Sequence, residues 1–283
     1  MKASPLARRQ VLKLGGAAAA AVLLPAEHAS AAWKKVPIGT QLWCVRKQLA
    51  TDVPGTLKSL GAMGYEAVEL ENAFGKSGAE WKGHLDAAGL KACGFHHTLA
   101  ELTGDKLAES VAFNQAIGNR NLIIRSLPEP TYSSADLLKK TADQVNEIAG
   151  RLKPQQMRVG YHNHTKDFNR IDGEYWWNRF ADQTSKDVIL QFDTGNASEM
   201  EGVTPQSLIQ RNAGRTISMH VKPYSKKDPN AYLGKDELDW PAIMTAAENA
   251  GGIEWYIIEY EKEGIPPLEA LKANLDLFKK LRS

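Results

Sequence analysis

The sequence predicts a single (β/α)8 barrel over residues 32–283, behind a short export leader. Three observations lead there. Eight short apolar runs alternate with eight helical patterns, the order expected of a parallel sheet closed on itself. About 250 residues remain once the leader is set aside, the usual size of one such barrel. The last four apolar runs all end in polar, ligand-type residues, and the C-terminal ends of barrel strands are where this architecture places chemistry.

The leader is read from Arg8-Arg9, the apolar run Leu14 to Leu24, and Ala29-Ser30-Ala31. A basic start, an apolar stretch too short to span a bilayer and a small-residue cleavage site make a secretory signal removed before Ala32. The paired arginines point to the twin-arginine route and a periplasmic or secreted protein. An uncleaved anchor fits less well, because the stretch is short and rich in Ala and Gly. No later run is long enough to span a membrane. The formal net charge is +2, without a basic patch of the nucleic-acid-binding kind.

In chain order the expected strands are 38–43, 67–70, 92–97, 121–125, 158–162, 188–193, 216–221 and 255–260. Helical patterns lie at 54–63, 79–88, 105–117, 135–152, 175–181, 205–211, 240–250 and 266–281. Gly64, Gly89 and Gly118 stand where left-handed C-caps fall, and Ser134, Thr204 and Asp239 where N-caps fall. No Gly-x-Gly-x-x-Gly follows a strand, so a dinucleotide fold lacks its fingerprint. Cys44 and Cys93 fall at different heights of the barrel and are expected to stay unpaired and buried.

The chemistry is read from the strand ends. His162, Asp193, His220 and Glu259 terminate four consecutive strands, at spacings of 31, 27 and 39 residues. Two imidazoles and two carboxylates suit one divalent ion of the Mn, Co, Zn or Fe(II) class better than Ca. Taken alone, each has a blander reading: a core histidine, a helix-capping Asp, or a turn at Asp193-Thr-Gly-Asn. His162 and His164 share parity about 6.6 Å apart along an extended strand, so only one of them fits a compact ligand set. His164 is then a substrate or outer contact.

The motifs Tyr161-His-Asn-His164, Gln191-Phe-Asp-Thr-Gly-Asn196, His220-Val-Lys222 and Ile258-Glu259 resemble the sugar phosphate isomerase/epimerase family with a xylose isomerase-like TIM barrel. Inosose dehydratase, ketose 3-epimerases and an abasic-site endonuclease type share that superfamily. The resemblance spans the whole mature chain. It implies one divalent metal held by Glu, Asp, His and Glu from strands 5 to 8. Asp193, His220 and Glu259 match the last three, and His162 stands where the epimerases have Glu. One of their two paired acid/base carboxylates is therefore absent.

The expected reaction is enolisation of a small carbohydrate. A metal acidifies the C–H beside a carbonyl and a carboxylate or His removes the proton. Reprotonation gives an isomerase or epimerase, the leading reading. Loss of a β-leaving group gives a lyase or dehydratase acting on, for example, a 3-keto-glycoside, and this outcome gains weight from His162. A sugar-binding barrel without turnover is the reading from another class. Glu259, Lys222 and His97 are the catalytic candidates, and His164, Trp43 and Glu71 the substrate contacts. His97 is placed inward by sharing parity with Phe95, which turns His96 toward the helices. Lys222 reads as an enolate stabiliser or base, or equally as a solvated loop lysine. Glu71 is preferred to Glu69 as nearer the rim. Export points to an unphosphorylated keto-sugar, cyclitol or glycoside.

Overall fold

A computed structural model describes residues 35–283. The expected leader over residues 1–31 lies outside the described residues. The barrel strands are β1 (Ile38–Gln41), β2 (Ala67–Leu70), β3 (Lys91–His97), β4 (Asn121–Ile124), β5 (Arg158–His162), β6 (Ile189–Asp193), β7 (Ser218–Val221) and β8 (Trp255–Ile258). All eight pair in parallel and close into a barrel in sequential order, with β1 against β8. A two-stranded ribbon, Arg170–Ile171 with Glu174–Tyr175, follows β5 outside the barrel.

Eight principal helices pack around the sheet: α1 (Val53–Met63), α2 (Gly78–Ala88), α3 (Lys106–Ala116), α4 (Ala135–Leu152), α5 (Trp176–Gln183), α6 (Pro205–Arg211), α7 (Trp240–Ala246) and α8 (Pro267–Leu281). Their ends follow the local chemistry. Ser134 and Asp239 accept hydrogen bonds from Leu137 and Ala242 N–H groups. Thr204 stands at the N-cap of α6 without a side-chain bond, where Pro205 already removes one orphan donor. A short helix, Thr194–Ser198, replaces the turn that Asp193-Thr-Gly-Asn196 also allowed. Cys44 and Cys93 are both buried and free.

The main core lies between strands and helices. Two small apolar clusters inside the barrel form its floor: Ala67, Cys93 and Ile257, and Ile123, Ile189 and Ile217. Above them lies a polar layer that includes Gln41, Glu69, His96, Gln191 and His220.

One irregularity decides which side chains reach that polar layer. Along the β2–β3 pairing, Val68 faces Ala92 but Glu69 faces Gly94, so Cys93 is an extra residue in β3. A bulge of one residue reverses the alternation beyond it. Phe95 consequently leans outward on Phe113, with ring centroids 5.5 Å apart. His97 follows it outward, where its Nε2 meets the Asn114 amide of α3 at 3.1 Å. His96 turns into the barrel, the opposite of the assignment that an unbroken strand predicts. A Cβ at position 94 would collide with the Glu69 carboxylate, so glycine is what leaves room for that side chain.

Candidate metal centre and cleft

Glu69, in the middle of β2, is fully buried and surrounded by donors. It accepts from His220 Nε2 at 2.6 Å, Gln191 Nε2 at 2.7 Å and Gln41 Nε2 at 2.8 Å, with His96 Nε2 3.0 Å away. Burial alone would push its carboxyl up, but the His96 and His220 imidazoles hold it below the usual carboxylate range. Gln191 is the second hub. Its amide nitrogen donates to Glu69 and to Ser218 Oγ at 2.9 Å, so its oxygen must be the acceptor for His96 Nε2 at 2.9 Å and His162 Nδ1 at 3.0 Å. The proton of His162 is thereby fixed on Nδ1, and its Nε2 keeps a lone pair.

Above this layer four atoms converge. Asp193 Oδ2 is buried without a hydrogen-bond partner. It lies 3.7 Å from His220 Nδ1 and 3.9 Å from His162 Nε2, and His220 Nδ1 is 2.7 Å from Glu259 Oε2. Burial would lower the pKa of His220, but Glu69 and the two carboxylates on its Nδ1 side raise it well above the ordinary value. Burial likewise opposes ionisation of Glu259, yet Lys222 and His220 hold it well below the carboxylate range. Positive charge is what this carboxylate pair calls for.

Among the described residues, two clusters of side chains are compact enough to share an ion: His96, His162 and His220, and Asp193, His220 and Glu259. The hydrogen bonds separate them. In the lower set both ring nitrogens of His96, and one each of His162 and His220, are engaged by Glu69, Gln191 and Gln41. In the upper set an orphaned carboxylate oxygen faces the imidazoles. The upper set, completed by His162 Nε2, fits a divalent cation. The lower set is its hydrogen-bonded support, and Glu69 orients His220 from behind.

The sequence motifs explain how the strand tips are held. Asn163 exchanges both of its amide bonds with the Asp193 backbone, at 2.7 and 3.1 Å, which fastens β5 to β6. Asp193 Oδ1 caps the short helix through Asn196 N at 2.7 Å. Thr194 Oγ1 spans to the Lys222 carbonyl at 2.8 Å and accepts from Lys222 N at 3.1 Å, fastening β6 to β7. At Gly195 a Cβ would meet the Lys222 side chain at 2.7 Å, so the lysine shaft lies over that glycine. Its Nζ reaches Glu259 Oε1 at 2.8 Å and Glu261 Oε1 at 3.3 Å. Burial opposes the charge, but Glu259 and Asp193 raise the pKa of Lys222 well above its usual value.

These groups open into a cleft of about 740 Å³ lined by Trp43, Glu71, Arg125, His164, Lys222 and Glu261, among others. Trp43 is 39% exposed at the rim, with the Arg46 guanidinium 4.0 Å from its ring centre. Glu71 is half-buried in the wall. His164 Nδ1 is buried without a partner, and burial lowers the pKa of its ring, so the imidazole is neutral at pH 7. His97 does not line the cleft, and burial lowers its pKa to about 4.

A family model described as a xylose isomerase-like TIM barrel matches residues 57–281. The chain belongs to the xylose isomerase-like TIM barrel family. Among curated relatives, an inosose dehydratase of Serratia proteamaculans is 21% identical, the match covering 73% of this chain and 82% of that protein. A sugar phosphate isomerase/epimerase of Parabacteroides distasonis superposes with a TM-score of 0.74 at 22% identity, over 87% of this chain and 98% of its own. The IOLI protein, crystallised with a zinc atom, gives a TM-score of 0.68 at 12% identity over 87% and 98%. Identities this low establish the shared fold. Within this family barrel, Glu69 and His96, ranked behind Glu71 and His97 by strand position, lie in the polar layer, and Gln41 and Glu261, which strand-end reasoning does not name, join them.

Behind β5 the loop carrying His164 is pinned by Asp167. Its carboxylate accepts from Tyr161 OH at 2.6 Å, Tyr132 OH at 2.8 Å and His164 N at 2.6 Å. Burial outweighs those bonds and raises its pKa from 3.8 to about 6. A raised carboxyl pKa means that the folded state prefers the proton, so the stabilisation is complete below 3.8 and lost as pH rises through 6. Relative to Asp167→Asn, the wild type should lose on the order of 2 kcal/mol between pH 4 and pH 7.5. Urea melts of both proteins at the two pH values check this; a pH-independent difference would contradict it.

Proposed function

We propose that this chain is a divalent-metal-dependent enzyme that enolises an unphosphorylated keto-sugar, cyclitol or glycoside. The observation that carries the reading is the orphaned Asp193 Oδ2, facing His220 Nδ1 and His162 Nε2 at the bottom of a polar cleft. His162, Asp193, His220 and Glu259 would hold the ion. The bound ion supplies Lewis-acid polarisation of a substrate carbonyl. His164, neutral and unpartnered at the rim, takes the proton from the neighbouring carbon. Lys222 is a fixed ammonium that steadies negative charge on oxygen, and Trp43 offers a stacking face. Glu71, Glu199 and Glu261 in the cleft wall disfavour phosphorylated substrates, in keeping with the export that Arg8-Arg9 suggests.

Isomerisation or epimerisation is the first outcome. Elimination is the second, and one observation favours it: Glu259 is tied to Lys222 and His220, and His162 stands where the epimerases have Glu, so the strand ends offer no free pair of carboxylates for a two-base epimerisation. Keto-sugars and 3-keto-glycosides incubated with the protein and Mn²⁺ in D₂O should acquire deuterium beside the carbonyl, and a chelator should stop it. No exchange and no turnover with any added metal would defeat the proposal. The two histidines should also separate. His162→Ala should bind less metal than wild type, whereas His164→Ala should keep its metal and lose exchange. The reverse order would exchange their roles.

A further inference from the structure

Arg125 follows Ile123 by two residues, and Ile123 points into the barrel, so the alternation aims Arg125 inward at the mouth. Its N–H still donates to the His97 carbonyl at 2.9 Å, so the sheet geometry holds this far along β4. The side chain lines the cleft next to Ser126 and is half-buried. Among the described residues its guanidinium makes no hydrogen bond or ion pair. The acid that senses it electrostatically is Glu101, whose carboxylate is engaged by Thr98 N and Oγ1 at 2.7 and 2.9 Å. Lys222, the cleft's other basic chain, is by contrast held by two carboxylates.

A half-buried guanidinium on a cleft wall, with no protein acceptor of its own, is free to take one from a ligand. Its planar fork matches a carboxylate in two parallel bonds. One uncommitted positive charge balances one negative charge. A dianionic phosphate would instead meet Glu71, Glu199 and Glu261 in the same cleft. β4 stands four strands from β8 in the closed barrel, so Arg125 is across the mouth from Glu259 and Lys222.

We propose that Arg125, with Ser126 beside it, is a carboxylate subsite, and that the substrate is a sugar acid of the uronate type. Its carboxylate lies at β4 while its carbonyl is turned toward β6–β8. The carbonyl end rests on the enolisation proposed above; the carboxylate end does not.

Calorimetric titration of the full chain with glucuronate, glucose and glucose 6-phosphate, each with and without Mn²⁺, tests it. Glucuronate should bind about tenfold or more tighter than glucose, the scale of one charge-assisted pair. Arg125→Met should abolish that preference, and Arg125→Lys, which keeps charge but not the fork, should retain part of it. Equal binding of glucose and glucuronate, binding of neither, a preference that survives Arg125→Met, or tighter binding of glucose 6-phosphate would each overturn the subsite. An unchanged uronate preference with no response to Mn²⁺ supports the subsite and counts against the metal-dependent reading instead.

Discussion

In the Lys222→Met variant, kcat should fall by a factor on the order of 10²–10³, the cost of removing one preorganised oxyanion donor. Bound metal per chain should not change. The geometry makes Lys222 a fixed charge. Its shaft rests over Gly195, its backbone N–H is tied to Thr194, and its ammonium sits between Glu259 and Glu261. The same carboxylates keep it protonated, so it has no lone pair with which to act as a base. What it offers is positive charge already oriented where substrate oxygen becomes negative, and methionine keeps most of the volume without that charge. Metal analysis and steady-state kinetics on one preparation read both halves. A kcat within twofold of wild type would place Lys222 outside the chemistry, and lost metal would make it a support for Glu259.

Glu69→Ala should lower stability by about 3–5 kcal/mol, the range for removing one member of a buried charged pair. For a domain of this size that is a fall in Tm of roughly 10 °C. The loss leaves His220 Nε2, Gln41 and Gln191, all buried, without their common acceptor. Glu69→Gln should cost less, since an amide oxygen can still accept from His220. Thermal melts of the two variants beside the wild type measure the difference. A loss under about 1 kcal/mol for Glu69→Ala would mean that the donors find other partners.

The alternation of strands and helices was legible because parallel strands buried on both faces are short apolar runs between capped helices. Asp193, His220 and Glu259 were legible for a related reason: each ends such a run, and strand ends face the mouth. His96 and His97 were misassigned because parity counting assumes an unbroken strand, and nothing in Lys-Ala-Cys-Gly-Phe-His-His announces that Cys93 is the extra residue. Gly94 was the available clue, since glycine inside a strand often marks a bulge or a close approach. Glu69 ranks behind Glu71 when only nearness to the rim is weighed. Its place as the shared acceptor emerges once Gln41, Gln191 and His220, on three other strands, are brought around it.

The extra residue in β3 also bears on how positions in this strand are matched to those of relatives. Below Cys93, odd-numbered residues face the barrel axis; above it, even-numbered ones do. Against a strand without the extra residue, an alignment anchored on the first half would set His97 at the pocket position, and one anchored on the second half would set His96 there. The two alignments differ by a single gap, yet they exchange a residue of the pocket floor for one packed on Asn114. In β3 of this chain, depth in the barrel and not count along the chain decides which histidine meets the pocket.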